Sequence, residues 1–96
     1  MLEKPGDQFC LMSFNILNGG THLGQPLEQT AAVIRLAQAD VVVVCEQWGN
    51  AEPLADLLGY ACHIVAAPPY WESVAVLSRY PILETFADGV RLELDA

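Results

Sequence analysis

The chain has 96 residues and a mass of 10.4 kDa, which fits one small domain or part of a larger one and excludes two domains. Four basic and twelve acidic side chains give a net charge of −8 and a pI near 4.3, the wrong sign for a protein that grips nucleic acid by neutralising its phosphates. Because 53% of the residues are apolar and only 17% are charged, the chain is also too apolar to be disordered.

The first half of the chain alternates strand and helix patterns. Residues 9–17 are rich in Phe, Leu and Ile and lead into a glycine pair, which predicts a buried strand that opens into a loop. Pro26 then suits the first turn of an amphipathic helix. The apolar face predicted for this helix consists of Leu27, Thr30, Val33, Ile34 and Ala37. The unbroken apolar run 41–45 predicts a central strand that is buried on both faces.

Strands dominate the second half of the chain. A short second helix is predicted first, with Asn50 as its N-cap, Pro53 in its first turn and Gly59 at its end. The strands predicted after it span residues 60–66, 73–78, 81–86 and 90–95. The third of these is expected beside the second, and Asp88-Gly89 predicts a hairpin into the fourth. This order of elements predicts an α/β fold, a layered sandwich with a mixed sheet.

The last predicted strand has no element after it that could cover its free edge. We therefore expect residues 1–96 to be the N-terminal portion of one domain, with the C-terminal half of the sandwich absent. The free edge also supports an alternative function. In that alternative the chain is a non-catalytic α/β interaction fragment, which associates with a partner or with its own copy through residues 90–95.

The cysteines and the N-terminal segment bear on the location of the protein. Cys10, Cys45 and Cys62 are odd in number and each lies in an apolar stretch, which predicts buried thiols in a reducing compartment and no disulfide or zinc framework. Residues 1–7 do not begin a signal peptide, and no stretch approaches the roughly 20 apolar residues that a membrane span needs. The expectation is a cytoplasmic protein without a membrane span.

Glu46 is the most unusual charged residue in the sequence. It directly follows five apolar residues at the carboxyl end of the predicted central strand, which is where open α/β sheets bind ligands. An ionised carboxylate that is buried there needs a cation or several hydrogen-bond donors. Arg79 is the basic residue expected to return to this end of the sheet. The alternative is an exposed Glu46 that only begins the loop 47–50.

Asn15 is the second candidate, because its amide lies inside an apolar run and has an oxygen and an NH₂ group to satisfy. Mg²⁺ accepts such an oxygen beside a carboxylate, keeps several waters and takes further ligands from substrate phosphates. The alternative is an asparagine that pins a neighbouring loop through its side-chain hydrogen bonds.

Three segments carry a resemblance to a known family. They are residues 12–20 (MSFNILNGG), 39–47 (ADVVVVCEQ) and 73–82 (SVAVLSRYPI). In this order, they resemble the first three signature blocks of the endonuclease/exonuclease/phosphatase superfamily, which includes deoxyribonuclease-I-like nucleases. The resemblance implies a hydrolase that uses Mg²⁺, or Mn²⁺, and an attacking water to cleave a phosphodiester or phosphomonoester. The substrate class stays open, and the net charge disfavours nucleic acid.

The resemblance also implies roles for individual residues. It assigns the principal Mg²⁺ ligand to Glu46 and the residue that helps organise the metal site to Asn15, so that both are expected to be catalytic and metal-site residues. The third block is chiefly architectural in the family. The resemblance therefore implies that Ser78, Arg79 and Pro81 position a strand and a turn.

The chain departs from the family pattern in several places. Cys45 stands before Glu46, where family members usually have Gln, and Ser73 stands where a Gly is common. The later motifs, which supply the general base and the residues that align the attacking water, are missing from the sequence. His22 is expected in an exposed loop and His63 in a packed or edge position, so neither replaces the base. We therefore expect residues 1–96 alone to be inactive and poorly stable.

Overall fold

Helices and strands alternate along the first half of the computed structural model, and strands fill the second half. The structure describes residues 8–16, 20–21, 24–65, 74–86 and 89–94. The elements are β1 Leu11–Asn15, α1 Leu27–Ala37, β2 Val41–Cys45, α2 Ala51–Leu58, β3 Ala61–Val65, β4 Val74–Ser78, β5 Ile82–Phe86 and β6 Gly89–Leu92. The predicted α/β class with parallel and antiparallel strands is confirmed. Within these ranges no helix is long and apolar enough to cross a membrane.

Four of the strands form one mixed sheet in the order β1-β2-β4-β3. β1 and β2 run parallel because α1 carries the chain back to the start of the sheet between them. β4 runs antiparallel to both β2 and β3, so that Ser78 at its end lies opposite Val41 at the start of β2. We call the end of the sheet where β1 and β2 finish the carboxyl end, and the opposite end the amino end.

β5 and β6 form a separate two-stranded antiparallel sheet. The prediction that residues 81–86 lie beside 73–78 is wrong, because β4 already pairs with β2 on one side and with β3 on the other. The hairpin between β5 and β6 pairs Phe86 with Gly89, while Asp88 lies outside the described residues. β6 ends at Leu92, earlier than predicted.

One face of the four-stranded sheet packs against both helices and forms the core. The strand register aligns two apolar rows on this face, Met12, Val42, Leu77 and Cys62 in the first and Phe14, Val44, Ala75 and Ile64 in the second. Ile34 of α1 and Leu54 of α2 pack against these rows and are fully buried. Burial contributes about 1.5–3 kcal/mol for each side chain of this size.

β1 and β2 differ in burial because only β2 has a neighbour on both sides. β2 is the predicted central strand, and Val41, Val42 and Val44 are each less than 5% exposed. β1 is the edge strand of the described sheet, and its exposed and partly buried residues alternate. The prediction of a buried first strand is therefore wrong. Leu11, for example, is 67% exposed.

α1 meets the rest of the molecule through a narrower face than the sequence predicts. Its buried residues are Thr30, Ala31 and Ile34, whereas Val33 and Ala37 are exposed. Gly20, with a φ of 77°, approaches this face so closely that an added Cβ would lie 2.8 Å from the Thr30 hydroxyl oxygen. The Thr30 hydroxyl donates a hydrogen bond of 3.3 Å to the Gly20 carbonyl, which fixes the segment before α1 to the helix.

Candidate functional site

Asn15 and Glu46 come at the ends of two neighbouring parallel strands. Asn15 is the last residue of β1 and pairs with Cys45, the last residue of β2. The two strands remain hydrogen-bonded for one more residue, because the Ile16 N–H donates to the Cys45 carbonyl at 3.1 Å. The backbone therefore brings the two predicted site residues to the carboxyl end of the sheet.

Glu46 turns the chain out of β2. Its φ is 57°, in the left-handed region that residues other than glycine seldom adopt. Such a conformation costs about 1–3 kcal/mol and is found in turns, at helix ends such as Gln38 after α1, and at functional sites. The residue is partly buried, so it is neither enclosed in the core nor part of a fully exposed loop.

Gln47 holds the turn that follows Glu46, a role that sequence reasoning missed. Its side chain is 1% exposed, and its Oε1 accepts hydrogen bonds from the backbone N–H groups of Gly49 at 2.9 Å and Ala51 at 3.0 Å. Because Ala51 begins α2, the amide also satisfies one of the unpaired N–H groups of that helix. Asn50 occupies the N-cap position, as predicted, but its side chain makes no capping hydrogen bond.

Trp48 is the second residue that sequence reasoning missed. It has a φ of 40° and lies between the buried Gln47 and Gly49, which has a φ of 86°. Its side chain is 54% exposed. One feature of the sequence could have identified Trp48 as a candidate: it is a large aromatic residue in a polar loop, two positions after the candidate carboxylate Glu46.

Arg79 lies at the opposite end of the sheet from Glu46. Because β4 runs antiparallel to β2, the residue after Ser78 meets the residue before Val41, which is Asp40. The Arg79 N–H donates to the Asp40 carbonyl at 2.9 Å, and the Arg79 Nε donates to the Asp40 carboxylate at 2.6 Å. The prediction that Arg79 accompanies Glu46 is therefore wrong.

Asp40 is the centre of a polar cluster at the amino end. Its side chain is 1% exposed, and its carboxylate also accepts the Cys10 N–H at 2.7 Å. The guanidinium of Arg79 donates to the Tyr80 hydroxyl at 2.9 Å and lies 5.0 Å from that ring, which stacks on Phe9. Desolvation lowers the pKa of Arg79, but the hydrogen bonds to Asp40 and Tyr80 outweigh it and raise that pKa.

The rest of the third sequence block forms the turn after β4. The Ser78 hydroxyl accepts the Tyr80 N–H at 2.9 Å and donates to the Tyr80 carbonyl at 3.0 Å. The carbonyl of Pro81 accepts the N–H of Glu93 at 3.0 Å, which ties the start of β5 to the end of β6. All of these contacts hold the turn and its neighbours in place.

A cleft of about 290 Å³ opens beside Asn15. Its lining residues come from the end of β1 and from the start of α1 and the segment before it: Phe14, Asn15, Ile16, Gln25, Gln29, Thr30 and Val33. None of these residues is charged, and Glu46 is not among them. The register thus places Asn15 and Glu46 at one end of the sheet, while the cleft includes Asn15 alone.

The histidines and cysteines complete the set of candidate ligands. His63 lies on β3, an edge strand, with its Nε2 3.3 Å from the carbonyl oxygen of Phe86. His22 lies outside the described residues. The three cysteines are partly buried free thiols: Cys10, Cys45 and Cys62.

Comparison with known proteins accounts for the order of the three sequence blocks. The model of the Endonuclease/Exonuclease/phosphatase family matches residues 12–94, most of the chain. The chain belongs to the Endonuclease/Exonuclease/phosphatase family. The match covers the positions of both Asn15 and Glu46. The enzymes in the family's name are hydrolases of phosphoester bonds.

The fold of the family is also found among solved structures. An endonuclease/exonuclease/phosphatase from Beutenbergia cavernae DSM 12333 is similar, with a TM-score of 0.54 and 22% sequence identity. The similarity covers 78% of this chain and 27% of that chain, so this chain spans about a quarter of that structure's length. At this identity the likeness shows the fold alone. No curated protein matches the chain.

The two candidate donors at the carboxyl end resemble a magnesium site with few protein ligands more than a structural metal site made wholly of protein ligands. In the part of the chain that the structure describes, no three His, Cys, Asp or Glu residues are grouped so as to hold a metal. Glu46 and Asn15 offer hard oxygen atoms from a carboxylate and an amide. Mg²⁺ is commonly held by one or two carboxylates and completes its shell with water and substrate phosphate. A carboxylate and an amide oxygen are donors of the type that Mg²⁺ accepts.

Charged groups are distributed unevenly between the two ends of the sheet. At the amino end, Arg79 pairs with Asp40, and Arg35 donates to the carbonyl of Leu57 in the last turn of α2. The first turns of α1 and α2, which follow the carboxyl ends of β1 and β2, carry Glu28 and Glu52. Among the described residues, acidic side chains therefore begin both helices at the carboxyl end, and the arginines Arg35 and Arg79 lie at the amino end.

Proposed function

We propose that this chain carries the metal-binding part of a Mg²⁺-dependent phosphoesterase that hydrolyses a phosphodiester or phosphomonoester with water. The observation that carries the proposal is the parallel register, which brings Asn15 to the same end of the sheet as Glu46. Family membership supports the same reaction class.

Each residue of the site has a role in this proposal. The carboxylate of Glu46 would hold Mg²⁺, or Mn²⁺, and the amide of Asn15 would help fix the position of the ion. The left-handed turn at Glu46 and the buried amide of Gln47 fix the backbone from which the carboxylate extends. When bound, the ion would supply charge neutralisation at the phosphoryl oxygens and at the leaving group, which is worth several kcal/mol.

The general base is the part of the machinery that this sequence does not supply. His63, the described histidine, is next to the carbonyl of Phe86 on an edge strand, and the family's later motifs are missing from these 96 residues. A positioned base typically accelerates such a reaction by about 10² to 10⁴-fold. We therefore expect the 96 residues alone to bind the metal but to hydrolyse phosphoesters very slowly.

Metal binding is the direct test of the proposal. The free Mn²⁺ signal in electron paramagnetic resonance is expected to fall when the protein is added, and Glu46→Gln should weaken binding by roughly tenfold or more. Glu52→Gln is the matched control, because it removes an acidic side chain at the same end of the sheet and should leave binding almost unchanged. Equal binding by the wild type and Glu46→Gln would reject the metal site.

The exposed apolar side chains of the two-stranded sheet favour a second candidate function, self-association. Leu83, Phe86 and Leu94 are each about half exposed. In this second proposal a copy of the chain covers these side chains, and substitutions within residues 90–95 abolish association. Sedimentation equilibrium tests self-association, because substitutions within residues 90–95 should convert the associated form to a monomer, whereas Glu46→Gln should leave the oligomeric state unchanged. A chain that is monomeric at all concentrations would reject this second function.

A further inference from the structure

Trp48 presents an indole ring at the carboxyl end of the sheet, close in sequence to the candidate metal ligand. It lies two residues after Glu46, and its side chain is 54% exposed. Single exposed apolar side chains are common, and Leu36 on α1 is more exposed at 72%. Leu36, however, lies on a regular helix, whereas Trp48 lies in a turn whose backbone is held in place.

The turn that carries Trp48 is fixed from within by Gln47. Glu46 and Trp48 both have positive φ angles, and the fully covered side chain between them accepts two backbone hydrogen bonds. A strained backbone persists only where its surroundings over-determine it. The backbone that carries the indole is therefore fixed before any ligand arrives, which lowers the entropy cost of binding through it.

The described arginines have partners elsewhere, so none of these three side chains supplies the carboxyl end with a cation for a polyanion. Arg79 pairs with Asp40, Arg35 contacts Leu57, and Arg91 pairs with Glu84 at 3.3 Å in the two-stranded sheet. Nucleic acids and polyphosphates bind chiefly through several cationic side chains. A ligand at this end therefore gains more from stacking on a ring than from additional phosphates.

The polar side chains of the cleft beside Asn15 are of a kind that recognises bases. Asn15 and the glutamines of the neighbouring cleft, Gln25 and Gln29, each carry a hydrogen-bond donor and an acceptor on one amide. Asparagine and glutamine pair with base edges through such amides, and base rings stack on tryptophan. These residues lie at the same end of the sheet as Trp48 because β1 and β2 finish together.

We propose that Trp48 stacks on the base of a small nucleotide whose phosphate lies at Glu46. The inference rests on the proposed phosphoesterase function and names its substrate class, a nucleoside carrying a single phosphoester. Loss of base stacking is expected to weaken binding roughly tenfold.

Tryptophan fluorescence tests this inference directly. The chain has two tryptophans, so Trp71→Phe leaves Trp48 as the single emitter. AMP and adenosine are expected to quench this emission, and AMP should bind roughly tenfold more tightly than ribose 5-phosphate, which lacks the base. Equal affinities for AMP and ribose 5-phosphate would overturn the proposal. So would tighter binding of a single-stranded oligonucleotide than of AMP at physiological salt.

Substitutions of Trp48 separate stacking from a structural role. Isothermal titration calorimetry measures the affinities of these variants, since they lack the Trp48 emission. Trp48→Phe keeps a ring and should keep the preference for AMP over ribose 5-phosphate, whereas Trp48→Leu should lose it and keep the circular dichroism spectrum. If Trp48→Leu does not fold, the quenching of Trp71→Phe and the Trp48→Phe affinities still decide the question. A Trp48→Leu variant that folds and keeps the full preference for AMP contradicts the inference.

Failure of the metal site gives a different result. If the phosphoesterase proposal is wrong, adenosine still quenches Trp48, and Mg²⁺ does not change the affinity for AMP. If only the stacking proposal is wrong, Mg²⁺ strengthens the binding of AMP and ribose 5-phosphate equally, and adenosine has no effect on the emission.

Discussion

β2 is flanked by a carboxylate at each end, and the two carboxylates have opposite surroundings. Asp40, before the strand, is 1% exposed and accepts hydrogen bonds from the Cys10 N–H and from Arg79. Glu46, after the strand, is partly buried, and none of the ion pairs between described residues includes it. The fold neutralises the charge of Asp40 itself, whereas under the proposed function a bound cation would neutralise that of Glu46.

The backbone conformation also differs between the two ends of the sheet. At the amino end, β2 and β4 continue their pairing into the Arg79 to Asp40 backbone bond, which extends the regular sheet. At the carboxyl end, Glu46 and Trp48 have positive φ angles within three residues. The amino end also has one such residue, Gln38 at the C-cap of α1, with a φ of 55°. The comparison therefore shows a paired carboxylate and continued strand pairing at one end, and two left-handed residues within one turn at the other.

Replacing each carboxylate with the corresponding amide is the strongest test of the contrast between the two ends. Asp40→Asn is expected to lower the free energy of unfolding by about 2–3 kcal/mol, because it leaves Arg79 without its ionic partner. The loss is smaller than for a fully buried ion pair, because the Arg79 side chain is half exposed to water. Glu46→Gln is expected to change it by less than about 0.5 kcal/mol, as surface substitutions usually do. Urea unfolding followed by circular dichroism measures both.

The two substitutions should have the reverse effects on metal binding. Asp40→Asn is expected to keep Mn²⁺ affinity under conditions in which it stays folded, whereas Glu46→Gln should lose it. A Glu46→Gln protein that is as destabilised as Asp40→Asn would show that Glu46 has a structural role, and the contrast between the ends would fail.

Gln47→Ala tests whether the strained turn depends on one amide. Two backbone N–H groups, of Gly49 and Ala51, would lose their acceptor, so a loss of about 2 kcal/mol in unfolding free energy is expected. Mn²⁺ affinity should fall as well, because the turn orients Glu46. Gln29→Ala removes an exposed glutamine from α1 and is the matched control for stability. Unchanged stability of Gln47→Ala would mean that the turn is held by other contacts.

Gly20→Ala tests the packing of the segment between β1 and α1. The new Cβ would lie 2.8 Å from the Thr30 hydroxyl oxygen, and the φ of 77° is unfavourable for alanine, so a loss of about 1–2 kcal/mol is expected. Gly59→Ala is the control, because Gly59 has a similar φ of 72° but no atom within 4 Å of an added Cβ. Equal losses in thermal or urea unfolding would mean that backbone strain alone, and not the contact with Thr30, determines the effect.

The sequence predicted those features that depend on local pattern. The valines of β2 indicated a buried central strand, and Gly59 marked the end of α2, where it has a φ of 72°. The placement of Asn15 near Glu46 follows from a strand, a helix and a strand in succession, since such units give parallel neighbours. Whether these two residues bind a metal stays a prediction.

Features that depend on strand direction and partner choice could not be predicted. Arg79 was expected at the carboxyl end, because nothing in its own segment shows that β4 runs antiparallel to β2. Asn50 fitted the N-cap pattern as well as any residue, and only the buried placement of Gln47 shows which side chain binds the N–H groups of α2. Both outcomes are decided by tertiary contacts, which local spacing does not encode.

The smallest expected effect concerns the pKa of the Cys62 thiol, which packs against the core beneath the acidic residues of α2. Burial, with smaller contributions from Glu52 and Asp56, raises the pKa of Cys62 from 9.0 to about 11. Because the thiol has a higher pKa in the folded state, its protonated form contributes to the unfolding free energy in full at pH values below 9.0. This contribution is lost as the pH rises from 9.0 to about 11.

Cys62→Ala should therefore flatten the pH dependence of unfolding free energy in this window, although it lowers stability at every pH by creating a small cavity. Tyr60, whose pKa burial also raises, titrates in the alkaline range as well, so Tyr60→Phe is needed as the companion variant. Glu52→Gln should lower the pKa of the Cys62 thiol slightly, measured by its rate of alkylation against pH. No change in that rate would mean that the negative charge at the start of α2 does not reach the core, and that its influence is confined to the surface near Glu46.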